Sequence, residues 1–230
     1  MIGIICALPQ EAAALTSYHL QRGKPTLIDD KYLVCLSGMG RKNASHAAKA
    51  LLDHNAEALL SWGFAGGLSS ELPCGAIILP RVLLTANAIE YLVDATWHQK
   101  TQMQLSKYFV LNIGTLTENN GVVVNPTEKA AKYKQSGAIA VDMESVAIAE
   151  IANNARKPCL VVRVVFDDFR TTVPSSILSS MNDRGELNIA KMAQSIMKNP
   201  IQFFNIIQLA LASFRAKKKL KKIAEIISLN

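Results

Sequence analysis

The sequence predicts an α/β protein: a mixed central β-sheet flanked by helices, with a helical extension at the C-terminus. Three observations predict it. Short apolar or β-branched runs bounded by polar breaks recur along the chain, which is how buried strands read. Several run directly into helical patterns; in 139–168, Ile139–Val141, a helix-like Met143–Asn154 and Cys159–Phe166 follow in strand–helix–strand order. Other runs pair as hairpins, so the sheet has antiparallel members and exceeds a simple doubly wound arrangement.

At 230 residues, half of them apolar and 19% charged, the chain can bury one sizeable core and is not disordered. No stretch reaches the roughly 18 uninterrupted apolar residues of a membrane span. The opening MIGIICALPQEAAAL has no basic segment of the secretory kind, and a cytoplasmic protein is expected. Cys6, Cys35, Cys74 and Cys159 lie on or beside apolar runs without a CxxC pair and read as reduced core thiols. His19, His46, His54 and His98 lack ligand spacing, so no metal site is expected. Of the net charge of +7, residues 201–230 hold six basic side chains against Glu225 alone, a balance of +5. The excess charge therefore belongs to the tail.

In chain order, Ile2–Leu8 is a buried strand that runs into a helix near Pro9, a residue suited to a first helical turn, and places Glu11 at the strand end. Lys24–Ile28 and Lys31–Leu36 read as a hairpin joined by Asp29-Asp30. Ser37-Gly38-Met39-Gly40 then opens a helix from about Lys42 to His54. Strand, glycine loop and helix together let backbone N–H groups approach a ligand. A dinucleotide fingerprint would want Gly or Ala where Asn43 stands, so this GxG is a weak match to one. Ala58–Trp62 is a strand closed by a second glycine loop, Gly63-Phe64-Ala65-Gly66-Gly67. Further strands are read at Gly75–Pro80, Val82–Asn87 and Tyr108–Ile113, and a short helix at Glu128–Tyr133. After Asp168 come a polar loop with Pro174, a helix from Glu186 to Lys198, and a break at Asn199-Pro200.

Acidic residues close the two runs of 139–168: Asp142 and Glu144 the first, Asp167 and Asp168 the second. A strand–helix–strand unit implies parallel neighbours, whose carboxyl ends line a ligand cleft. Carboxylates after strands also simply cap the following helix, and Arg163 is a candidate structural partner for one of them.

Three sites thus fall at strand ends, and their residues resemble the nucleoside phosphorylase and nucleosidase superfamily. GIICALPQE resembles the N-terminal strand and glutamate of the methylthioadenosine/S-adenosylhomocysteine nucleosidases. SGMGRKNA and GFAGGL resemble their glycine loops, and VDMES and VVRVVFDD their ribose- and purine-binding motifs. The resemblance runs in order to about residue 170. Downstream, VPSSI, RGELN and KNPIQFF are most similar to the hopanoid-associated nucleoside phosphorylases.

The resemblance implies a catalytic domain over 1–198 that cleaves the N-glycosidic bond of an adenine nucleoside. The substrate it implies is adenosylhopane, with a methylthioadenosine/S-adenosylhomocysteine nucleosidase as the alternative. It implies that Asp167 protonates or hydrogen-bonds the purine at N7 and that Glu144 accepts hydrogen bonds from the ribose hydroxyls. Met143 would pack beneath the sugar, and Glu11 would orient or deprotonate the nucleophile. Gly38, Gly40, Phe64, Ala65 and Gly66 would form the substrate loops, and a homodimer is implied. No cofactor is expected beyond phosphate as a co-substrate. The chain departs from the phosphorylases, lacking their arginine and serine around Ser61-Trp62-Gly63-Phe64, and this favours water as nucleophile. Arg41 is the one candidate replacement ligand for phosphate; its alternative is a surface arginine at a helix start.

Residues 199–230 form a basic amphipathic tail. Phe203, Ile206, Ile207, Ala210, Leu211 and Phe214 fall at helical spacing before Arg215–Lys222. The pattern suits contact of 201–222 with an anionic membrane surface, on its inner face, and equally a core-packing helix with a solvated basic side. A nucleic-acid-binding module is the distant rival; the tail has no aromatic interleaving to support it, and no nucleic acid is expected.

Overall fold

The computed structural model describes residues 1–174, Ile177, Ser180 and 202–227. The expected helix over 186–198 and the break at 199–200 lie outside these residues. Eleven strands form one mixed sheet among the described residues. Its first arm runs from β2 (Thr26–Ile28) through β3 (Tyr32–Leu36) and β1 (Ile2–Cys6) to β4 (Ala58–Gly67). Beyond β4 the sheet forks. One branch is β10 (Ala140–Asp142), β9 (Thr115–Glu118), β6 (Val82–Leu84) and β7 (Glu90–Leu92); the other is β11 (Cys159–Asp167), β5 (Ile77–Ile78) and β8 (Leu111–Asn112).

The fork corrects two expectations. Gly63–Gly67 is not a loop but the second half of β4, a ten-residue strand. Its first half lies parallel to β1 and β11, and Gly66 and Gly67 then pair antiparallel with β10. Consequently β10 and β11 are not adjacent parallel strands; they flank β4 and meet at its glycines. Val141 stands opposite Gly66 on one side and Asp167 opposite the same Gly66 on the other. The acids still converge, because a bulge between Val165 and Asp167 shifts the register of β11 just where it ends. A bulge adds a residue and re-aims the side chain that follows it.

Alternation along the strands splits the core between the two faces of the sheet. Ile5, Leu59, Val161 and Val165 pack with α2 (Arg41–Asp53) and α5 (Ser145–Asn154), through Ala44, Ala48, Leu51, Val146 and Ala149. Ile4, Leu60, Leu160, Val162 and Val164 face the other way, toward α1 (Pro9–Ala12) and α6 (Gln202–Ile226). Asp29 and Asp30 take positive φ in the β2–β3 turn, as a tight hairpin requires.

Two helices depart from the sequence reading. α4 spans Pro126–Ser136, longer than expected, since Asn125 caps Glu128 N at 3.0 Å, Pro126 starts the first turn and left-handed Gly137 ends the last. α3 (Ala95–Leu105) was not expected at all. Its buried face is made of His98, Thr101 and Leu105, so it lacks an apolar stripe, and Asp94 starts it by accepting from Trp97 N at 2.7 Å. Of the run Tyr108–Ile113, only Leu111–Asn112 forms a strand. Cys74 is exposed, unlike the other three cysteines, and its thiol donates to the Phe166 carbonyl.

In the C-terminal helix, the basic half docks on the sheet. Ala216, Leu220, Ile223 and Ala224 are buried, and Lys219 and Lys222 reach over the Phe109 ring. Ile207, Leu211 and Phe214, read as facing either the core or a membrane surface, are exposed and do not pack on the core. No helix among the described residues is long and apolar enough to cross a membrane.

Candidate active site

Glu11, Asp142, Glu144 and Asp167 line one cavity of about 480 Å³ at the fork of the sheet. Two larger clefts, at 9–22 and around Arg81–Ser106, contain no acidic side chain. The chemistry therefore selects the smaller space. Its other walls are mostly apolar, with Met39, Phe64, Val122, Val123, Met143, Phe166, Val173 and Leu209 beside the polar Gln10 and Ser213.

Each carboxylate is held differently. Glu11 is buried, and its two oxygens accept three backbone N–H groups: Ala7 at 2.8 Å and Leu8 at 2.9 Å on Oε2, and Phe64 at 2.8 Å on Oε1. Burial pushes its carboxyl up, opposed by the nearby Arg163 guanidinium and these N–H groups. Glu144 accepts from Gly40 N at 2.7 Å, and burial, reinforced by the Asp142 charge, lifts it to about 7. Asp167 is lifted by burial to about 6, against the pull of Lys129.

Asp142 has the structural role that strand-end acids often take. Its Oδ1 accepts Glu144 N at 3.2 Å and Ser145 N at 3.1 Å at the start of α5, and Oδ2 accepts Arg163 Nε at 2.7 Å. Arg163, 1% exposed, also donates to Ser61 Oγ at 2.7 Å and Ser145 Oγ at 3.0 Å. Burial works against its charge, but Asp142, Glu11 and Glu144 outweigh burial and strengthen it. Gly63 is required by this cluster: a Cβ there would overlap Glu11 Oε1 and lie 2.5 Å from Arg163 Nη1. At Gly66 a Cβ would press at 3.3 Å on Asp167 Oδ1 and Val141 Cγ1.

Of the site residues read from sequence, Glu11, Phe64, Ala65, Gly66, Met143, Glu144 and Asp167 come together on the cavity. Gly38 and Gly40 do not line it; Gly40 contributes by fixing Glu144. Arg41, expected as a phosphate ligand, does not line it either and is ion-paired to Glu118 and Glu150. Asp168 stabilises its own loop, accepting from Arg170 N at 3.1 Å and Thr171 Oγ1 at 2.7 Å. Lys129 was missed. It is fully buried and donates to Asp167 Oδ2 at 2.5 Å. It lies on a polar helix with the partly buried Lys132 and the exposed Lys134, and no sequence signal separates it from them.

The fold is shared with α/β proteins of known structure. The S. pneumoniae 5′-methylthioadenosine/S-adenosylhomocysteine nucleosidase superposes with a TM-score of 0.69 at 19% identity, over 98% of this chain and 99% of that one. The futalosine hydrolase of Helicobacter pylori gives 0.68 at 17% identity, covering 97% of each chain. Among relatives by sequence, the 5′-methylthioadenosine/S-adenosylhomocysteine nucleosidase of Buchnera aphidicola is 27% identical in an alignment of 236 positions, gaps included, that covers 87% of this chain and 98% of its own. The one from Staphylococcus epidermidis is 27% identical over 201 residues, 73% of this chain and 86% of its own. The family model described as the Phosphorylase superfamily matches residues 1–198. The chain belongs to that superfamily, the nucleoside phosphorylases and nucleosidases, and is an enzyme of that class.

Proposed function

We propose that the protein hydrolyses the N-glycosidic bond of a 5′-substituted adenine nucleoside, as a methylthioadenosine/S-adenosylhomocysteine nucleosidase does. The observation that carries this reading is the convergence of Glu11, Glu144 and Asp167 on one cavity, with Asp167 lifted into the range of a general acid. Asp167 gives its proton to purine N7 as the C1′–N9 bond breaks, so the bonding pair leaves on a neutral adenine. Glu144, ionised, accepts the ribose hydroxyls and stabilises the oxocarbenium-like sugar. Water adds to C1′ and its proton passes to Glu11. Water is the nucleophile here because Arg41, Arg163 and Lys129 each already serve carboxylate partners; phosphate as co-substrate is the alternative.

A second reading, release of adenine from the lipid-linked nucleoside adenosylhopane, is favoured by one feature. Leu209 and Ala210 of the C-terminal helix join Val122, Val123, Val173 and Ile177 in an apolar wall on the cavity. On this reading the exposed Ile207, Leu211 and Phe214, followed by Lys217 and Lys218, rest on an anionic membrane. Liposome binding that is unchanged in a Leu211→Ser, Phe214→Ser double variant would rule out that contact.

The test of function is adenine release from methylthioadenosine, S-adenosylhomocysteine and adenosylhopane, each with and without phosphate. Release from the first two, undiminished without phosphate and with no sugar phosphate formed when it is added, is the expected result. Release from adenosylhopane alone selects the second reading. A phosphate requirement would overturn hydrolysis.

A further inference from the structure

Lys129 is a fully buried lysine that neither the fold nor the three-carboxylate chemistry calls for. Burying an ammonium is costly unless every donor is met, and here all three are. Nζ donates to Asp167 Oδ2 at 2.5 Å, to the Asp168 carbonyl at 2.5 Å and to the Thr171 carbonyl at 3.2 Å. The lysine thus ties α4 to the loop that follows β11. It also occupies one oxygen of Asp167, while among the described residues no side-chain donor reaches Oδ1.

On the reading of Asp167 as the acid, we propose that Lys129 is a positioning residue that presents Oδ1 of Asp167 to the leaving purine and stabilises the carboxylate left by proton transfer. The logic is differential. A neutral Asp167 accepts only a modest hydrogen bond from the ammonium, whereas the carboxylate formed as the proton leaves makes a buried ion pair at the same distance. The interaction therefore strengthens along the reaction, which is what lowers a barrier. The charged and titratable groups facing Asp167 are Lys129 from α4, Asp168 from its own loop and Cys74; burial raises the acid, Lys129 lowers it, and Asp168 raises it slightly.

The experiment is the pH dependence of kcat/KM and kcat for the full-length protein, Lys129→Met and Lys129→Gln, on whichever nucleoside the wild type cleaves. Activity needs Asp167 protonated and Glu144 ionised, lifted to about 6 and about 7, so the wild-type profile should be bell-shaped, with an alkaline limb along which Asp167 loses its proton. Both variants should lose about 10²-fold in kcat, with KM nearly unchanged. Their alkaline limb should move up by about one pH unit or more, because a cation favouring the carboxylate is gone. A role confined to holding the loop would lower activity without moving the limb upward. If neither variant folds, ¹⁵N-lysine-labelled wild type decides: an exchange-protected Nζ resonance should follow pH with the midpoint of the alkaline limb. An active wild type with an unmoved limb, or with an Nζ resonance indifferent to that midpoint, overturns this proposal alone. A wild type that cleaves no nucleoside overturns it together with the function it rests on.

Discussion

At the scale of single residues, burial separates the roles of the site's acids. Glu144 and Asp167 are lifted to about 7 and about 6, each first by burial. A carboxyl raised on folding binds its proton more tightly in the native state than in the unfolded chain. Its stabilising contribution is therefore complete below the unfolded value, 4.5 for Glu144, and is lost as pH rises through about 7. Glu144→Gln keeps an acceptor for Gly40 N and removes the titration. The variant should lose less stability than wild type between pH 4.5 and 7, by on the order of 1–3 kcal/mol. Chemical denaturation at several pH values measures it; parallel pH profiles would contradict the burial of this carboxyl. Glu11, Glu144 and Asp167 were legible because each ends an apolar run. Lys129 and the full role of Arg163 were not, because their importance comes from partners distant in sequence, 38 residues away for Lys129–Asp167 and 102 for Arg163–Ser61.

At the scale of elements, β4 organises the site. Its glycines were legible as a cluster, but they read as a loop because glycine weakens a strand in isolation. The structure keeps them in a strand because both neighbours need the space: Glu11 and Arg163 over Gly63, Asp167 and Val141 beside Gly66. Gly63→Ala should therefore displace Glu11 or Arg163, costing about 1–3 kcal/mol by overpacking. A melting temperature and adenine-release rate equal to wild type would contradict the packing described. The expected crossover failed for a related reason. Ile139–Val141 and Cys159–Phe166 were read correctly as strands, yet nothing local reveals that β4 runs long enough to insert between them. Helix α3 was hidden by its small, polar buried face.

At the scale of the whole molecule, the C-terminal helix is a wall of the fold, not an appendage. Leu220 and Ile223 are fully buried beside Leu160, Val162 and Val164, and Leu209 closes the cavity. Leu220→Ala should cost about 2–5 kcal/mol; a loss below 0.5 kcal/mol in equilibrium unfolding would show that the helix does not dock there. The tail's amphipathic pattern and its charge were visible in sequence. That the basic stretch docks on the sheet was not, since alanines at 216 and 224 are part of the buried face and score weakly in any apolar pattern.

The chemistry itself is tested most directly by single-turnover release of adenine from methylthioadenosine at pH 6, comparing wild type with Asp167→Asn. Asparagine keeps the shape of the side chain but has no carboxyl proton to give. Adenine release by wild type, slowed by about 10²–10⁴-fold in the variant at unchanged melting temperature, is the predicted result. Equal release by the two proteins would contradict the assignment of Asp167 as the acid.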